Sequence, residues 1–166
     1  MRTLKFAYTM RAYRDICAIC KDGKISGLKD ALTGDYGNQV ENLAGFIAAL
    51  ANAAARRDGE ELITVEDLLD LTPEEFAALE KQATDAFTAG QKREVESTPK
   101  KKEQGPAVEI NFTWLMFHAM RLGLSHAEAL DATPGEILDL IACDQIFIGA
   151  ATQTKKARME DVLNMD

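Results

Sequence analysis

Apolar residues recur at helical spacing along most of the chain. Tyr13, Ile16, Cys17 and Cys20 fall at i, i+3, i+4 and i+7, one face of a helix. Thr9 stands where it can cap that helix, which is expected to run to about Lys21 and to end at Asp22-Gly23. Ahead of it, Leu4, Phe6 and Tyr8 alternate, as in a small strand or an extended lead-in. Leu28 and Leu32 suggest a short helix from Ser26, followed by a loop over Thr33-Gly34-Asp35-Tyr36-Gly37. The strongest N-terminal pattern runs from Asn38 to Arg57. Val40, Leu43, Ala44, Ile47, Leu50, Ala51 and Ala54 form one stripe in an Ala-rich helix. Arg56 and Arg57 suit its C-terminal dipole, and Asp58-Gly59 stops it.

The next starts are written in capping residues. Thr64-x-x-Asp67 opens a short acidic helix over Leu68 and Leu69. Thr72-Pro73-Glu74-Glu75 opens a longer one that carries Phe76, Leu79, Ala83 and Phe87 and ends near Gly90. Gln91 to Glu109 then breaks the pattern. It is rich in charge, holds two Pro and one Gly, and cannot bury enough to fold by itself, so it reads as a linker. Asn111 can cap a further helix from Phe112, and Gly123-Leu124 after Leu122 is a Schellman stop. Ser125-x-x-Glu128 and Thr133-Pro134-Gly135-Glu136 restart two helices in turn. Met159, Val162 and Leu163 keep helical spacing, so the last helix is expected to continue beyond Ala151. The expected fold is all-α, with two small helical parts, 1–90 and 110–166, joined by a polar linker, 91–109.

Composition narrows the class. The chain has 166 residues and is 46% hydrophobic, enough for a packed core. No apolar run approaches the roughly 18 residues that span a bilayer. The N-terminal M-R-T-L-K-F-A-Y-T-M has no apolar core of a secretory signal. A cytoplasmic protein follows as the expectation, and an odd count of three Cys suits reduced thiols there. The net charge is −8, with −5 in residues 1–90, +1 in 91–109 and −4 in 110–166. Neither acidic part offers the cationic face that releases phosphate counterions, so no nucleic-acid partner is expected.

Enzyme chemistry finds no foothold. Cys17-x-x-Cys20 has the spacing of half a zinc site, but zinc needs four ligands, commonly as two close pairs. Cys143, His118 and His126 supply no second pair. Both Cys also lie on the apolar face of their helix, where thiols behave as small hydrophobes. His118 sits among Trp114, Phe117 and Met120 without a nucleophile and an orienting carboxylate. Gly34-Asp35-Tyr36-Gly37 lacks the G-K-[ST] of a phosphate loop. No catalytic residue, metal or cofactor is expected. Leu122-Gly123-Leu124-Ser125 before His126 does look like the turn of a helix-turn-helix. From Ser125 to Ile148, however, there is no Lys or Arg, and there are five acidic residues. A DNA-binding regulator is therefore the alternative rather than the leading reading.

The segment from Trp114 to Ile141 reads W-x-x-x-x-x-M-R-L-G-L-S-x-x-E-A-L-x-A-T-P-G-E-I-L-D-L-I. With a small acidic helical part and a Lys-containing linker before it, this layout resembles the lambda-type, two-part tail assembly chaperones of long-tailed bacteriophages. The N-terminal likeness is one of pattern: the Ala-rich helix, then I-T-V-E-D-L-L-D-L, then an acidic helix. The resemblance implies a non-enzymatic protein of the host cytoplasm, absent from the mature virion. Such a protein keeps the helical tape measure protein soluble and brings tail tube subunits to it. In several such proteins the C-terminal part is added by a ribosomal frameshift, and Lys100-Lys101-Lys102 lies where a slip would fall. The unit from 110 onward has more apolar side chains than one helical stripe needs. Phe112, Trp114, Phe117, Met120, Ile146, Phe147 and Ile148 are the candidates for partner binding. Burial in the core is the competing fate of each, and self-association is a further use of the same surface.

Overall fold

The Ala-rich helix predicted from Asn38 is the element on which the N-terminal helices pack. The structure, a computed structural model, describes residues 3–34, 38–100 and 108–154. In chain order it holds α1 (Met10–Ile19), a 3₁₀ turn (Ile25–Gly27), α2 (Leu28–Thr33), α3 (Gln39–Asp58), α4 (Val65–Leu69) and α5 (Pro73–Gly90). There follow β1 (Ser97–Pro99), α6 (Phe112–Arg121), α7 (His126–Asp131), α8 (Pro134–Phe147) and β2 (Ala151–Gln153). Among the described residues the fold is all-α apart from the pairing of β1 with β2. Among the described residues, no helix is long and apolar enough to cross a membrane.

Helix α3 buries Ala44, Ala48, Ala49, Ala51, Ala53, Ala54 and Ala55 together with Phe46, Ile47 and Leu50. A helix that is apolar on most sides belongs in an interior, and α1, α2, α4 and α5 all pack on this one. Val40, expected in the stripe, is 59% exposed. It lies in the first turn of α3, ahead of the buried stretch that begins at Ala44. Asn52 clamps the chain that returns from α3: its side chain donates to the carbonyl of Ile63 at 2.9 Å and accepts from the Ile63 N–H at 2.8 Å.

Helix α1 buries Met10, Ala12, Tyr13 and Ile16, the face expected from the sequence. Its ends differ from expectation. It stops at Ile19, where Cys20 turns extended (ψ 134°), and its N–H bonds the Cys17 carbonyl. Thr9 does not cap through its side chain. The hydroxyl is turned into the core without a hydrogen-bond partner, and Thr9 is 1% exposed. The chain before it is an extended lead-in, held by Ala7 N–H donating to Leu50 O at 3.1 Å.

The capping boxes form as written. Thr64 with Asp67, Thr72 with Glu75, Ser125 with Glu128 and Thr133 with Glu136 each satisfy two orphan backbone donors reciprocally. Gly123 (φ 104°) ends α6 as a Schellman turn: Leu124 N–H donates to Ala119 O and Gly123 N–H to Met120 O, both at 3.1 Å. The same arrangement ends α8. Gly149 has φ 77°, Ala150 N–H reaches Gln145 O at 2.9 Å, and Gly149 N–H reaches Ile146 O at 3.1 Å. The last helix thus stops at Phe147, and the expected continuation is replaced over 151–153 by a strand. Met159, Val162 and Leu163 lie outside the described residues, as do Lys101, Lys102 and the Asp35–Gly37 part of the expected loop.

The helices after residue 110 share a core with those before residue 90. Leu115, Met116, Ala119, Leu130, Ile137 and Ile141 belong to the same buried cluster as Tyr8, Ile16 and Leu50. Helices α6 and α7 pack on α1, and α8 on α5. Met10 N–H donates to Ala132 O at 2.9 Å, and Arg11 pairs with Asp131 at 2.7 Å. The polar stretch between the parts is fastened to α8. Asp139 accepts from Glu94 N–H (2.8 Å), Val95 N–H (3.1 Å) and Arg93 Nε (3.1 Å), and Arg93 also donates to Leu138 O at 3.1 Å. Beyond it, β1 runs antiparallel to β2 with Ser97 opposite Gln153.

Candidate protein-binding surface

Helix α6 divides its side chains between two environments. Asn111 starts it by accepting from Trp114 N–H at 3.0 Å. Leu115, Met116 and Ala119 then face the core. Phe112 and Trp114 are half-buried and pack against it. Phe117 and Met120 face outward and are 61% and 48% exposed. Between these groups stands His118. Its ring lies 4.2 Å from that of Trp114 and 5.3 Å, edge on, from that of Phe117. Burial and the nearby Arg121 hold its pKa below the usual value, against the pull of Asp144. The ring stands in contact with both aromatic neighbours on α6.

Helix α8 ends in the same neighbourhood. Ile137, Ile141 and Ala142 are buried, and Ile146 is half-buried. Arg121 of α6 pairs with Asp144 at 3.2 Å and ties the two helices together. One turn beyond Asp144, Phe147 is 89% and Ile148 62% exposed. Of the seven candidate residues, the structure thus leaves four in solvent: Phe117, Met120, Phe147 and Ile148. Phe112, Trp114 and Ile146 are partly covered.

The cysteines and histidines do not converge. Among the described residues, no group of three His, Cys, Asp or Glu is placed to hold a metal ion. Cys17, Cys20 and Cys143 are free thiols. Burial, with Cys20 beside it, pushes the Cys17 thiol up to about 11. Burial and Asp22 push Cys20 up as well, and its Sγ–H points to Ile16 O at 3.5 Å. The short α7 that followed the helix-turn-helix pattern has six residues and buries Ala129 and Leu130.

A second apolar feature was not legible in the sequence. A cleft of about 780 Å³ opens between α2, α3 and α5, with α6 and α8 at one end. Its aromatic lining is Tyr8, Tyr13, Phe46 and Phe87, with Phe87 4.4 Å from Tyr8 and 5.6 Å from Phe46. Burial pushes the Tyr8 phenol well above its usual value and, with Cys17 and Glu109 near, raises Tyr13 to about 12. Periodicity places Leu43 and Phe87 on helices one at a time and leaves Phe46 off the expected stripe. That they line one opening depends on how five helices meet, which no local signal carries. Compared with known protein families, with curated proteins and with solved structures, the chain finds no match.

Proposed function

We propose that the chain is a non-enzymatic tail assembly chaperone of a long-tailed phage, working in the host cytoplasm and absent from the finished virion. In this reading it binds the helical tape measure protein, keeps it soluble, and recruits tail tube subunits. The observation that carries the reading is the group of four exposed apolar side chains, Phe117, Met120, Phe147 and Ile148, on a chain of net charge −8. Exposed aromatic side chains of this kind supply hot spots when a partner desolvates them. The acidic charge keeps a protein with such a surface in solution. The motif from Trp114 to Ile141 supports the family, and no nucleic acid, membrane, metal or cofactor is called for.

The test is co-expression with a tape measure protein and a tail tube protein. The expected result is that the tape measure protein moves into the soluble fraction and is retained on the tagged chain, and that the tube protein joins the complex. Tape measure protein that stays insoluble, with a chain that binds neither, would overturn the reading. The alternative, a DNA-binding regulator, predicts instead a gel shift with phage DNA. Helix α7 gives it little support, since it exposes His126 and Glu128 and no Lys or Arg.

A further inference from the structure

Helices α2 and α5 each pack on α3, and the cleft lies where all three contribute side chains. Leu43 and Phe46 come from α3, Leu28 and Leu32 from α2, and Thr84 and Phe87 from α5. Leu115 and Leu138 line it from α6 and α8. The arrangement is a groove over α3 with α2 on one side and α5 on the other. Leu28, Phe46 and Leu115 are buried at its floor, and Leu32, Leu43, Phe87 and Leu138 are half-buried along its sides.

The charges at the cleft say which helix fits. Among the described residues that line it, only Lys29, on α2, and Glu80, on α5, are charged. Neither takes part in the ion pairs of the described residues. One wall therefore carries an unpaired cation and the other an unpaired anion, over an apolar lining. We propose that this cleft receives about two turns of an amphipathic helix from a partner protein, with apolar residues at i, i+3, i+4 and i+7. An acidic side chain of the partner flanks that stripe toward Lys29, and a basic one flanks it toward Glu80. Helix-in-groove recognition uses this spacing of anchors, and an unpaired charge on each wall selects against helices whose flanks carry a single sign. Phe117, Met120, Phe147 and Ile148 do not line the cleft, and its occupant does not depend on the phage reading.

The probe is a labelled synthetic Ala-based peptide of about 15 residues, long enough to hold helix. It carries a Leu stripe at i, i+3, i+4 and i+7, with one Glu and one Lys on opposite flanks. Binding to the full chain is read by fluorescence anisotropy. Two companion peptides carry Glu on both flanks or Lys on both flanks. Thr84 is an exposed residue at the cleft, so Thr84→Trp fills the opening without removing a core contact. The expected results are saturable binding of the Glu/Lys peptide and at least tenfold weaker binding to Thr84→Trp at an unchanged melting temperature. The Glu/Lys peptide should bind about threefold more tightly than either companion. Lys29→Glu should shift the preference to the Lys/Lys peptide. Absence of binding, equal binding to Thr84→Trp, or indifference to the flanking charges overturns the proposal. So does a wild-type dimer that Thr84→Trp turns into a monomer, which would make a second copy the occupant. An apolar dye that binds the cleft and is not displaced by the peptide would make it a small-molecule pocket and overturn the proposal too. Capture of tail proteins does not enter these results, so the two proposals fail separately.

Discussion

Gly135, at the start of α8, lies so close beneath the carbonyl oxygen of Lys92 that a Cβ there would overlap it. The carbonyl of Gly90 is the next contact, at 3.0 Å. Gly90 is itself pressed against Tyr8, with a Cβ position 2.7 Å from the Tyr8 carbonyl oxygen. Backbone from the lead-in, the end of α5 and the start of α8 thus meets at two residues that have no side chain. Gly135→Ala is expected to destabilise the protein by about 1–3 kcal/mol, the usual cost of overpacking. Thermal unfolding measures it. An unchanged melt would show that α8 moves aside freely.

Asp139 fastens the polar stretch 93–95 to α8. Burial raises its pKa, but the bonds from Glu94 N–H, Arg93 and Val95 N–H outweigh burial and leave it below the usual carboxylate value. A carboxyl with a depressed folded-state pKa stabilises fully above its unfolded value, about 3.9, and loses that contribution as pH falls through the folded value. Asp139→Asn should therefore cost about 1–3 kcal/mol at pH 7 and show a shallower acid limb than the wild type. The same variant should be cut faster by trypsin at Arg93. Parallel stability–pH curves for the two proteins would contradict this account.

Phe147 and Phe117 contribute little to the fold while exposed. Phe147→Ala and Phe117→Ala should leave stability within about 0.5 kcal/mol of wild type and weaken capture of the tape measure or tube protein. Ile137, which is 0% exposed, provides the contrast: Ile137→Ala should cost about 2–5 kcal/mol. Undiminished capture by the double Phe variant would remove this surface from the interface.

The thiols should react in a set order. Cys143 is exposed and should be labelled first by a disulfide reagent at pH 8. Cys17, with its thiol near 11, is only about one part in a thousand thiolate at that pH and should lag far behind. Stoichiometric zinc in protein purified without added metal would contradict the reading of Cys17 and Cys20 as packed thiols.

Signals confined to a few residues were legible in the sequence. Thr64, Thr72, Ser125 and Thr133 each carry their partner three positions on, and each box forms. The Gly123 stop was equally local. Gly149 carries the same local information, yet the helical spacing of Met159, Val162 and Leu163 beyond it predicts a continuing helix. Thr9 shows the opposite failure. Its residue type and place suit a cap, yet tertiary packing turned its hydroxyl inward. The attachment of Arg93, Glu94 and Val95 to Asp139 spans 44 to 46 residues, and composition alone made that stretch look unattached. Outward-facing Phe117 and inward-facing Leu115 read alike as apolar letters. The positions of α1 and α8 against α6 separate them.

The β1–β2 pair has a topological consequence. Because Ser97 stands opposite Gln153, the chain leaves the C-terminal helices beside the point where it entered them. Residues 98–152 are in this sense a cassette with adjoining ends, the geometry that tolerates insertion, exchange and circular permutation. Replacing 98–152 by a two-residue hairpin turn would excise α6, α7 and α8 and, with Asp139 gone, release residues 93–95 from their anchor. The excision would uncover the face of α1 on which α6 and α7 pack, so the shortened chain should be recognisable by a newly exposed Tyr13.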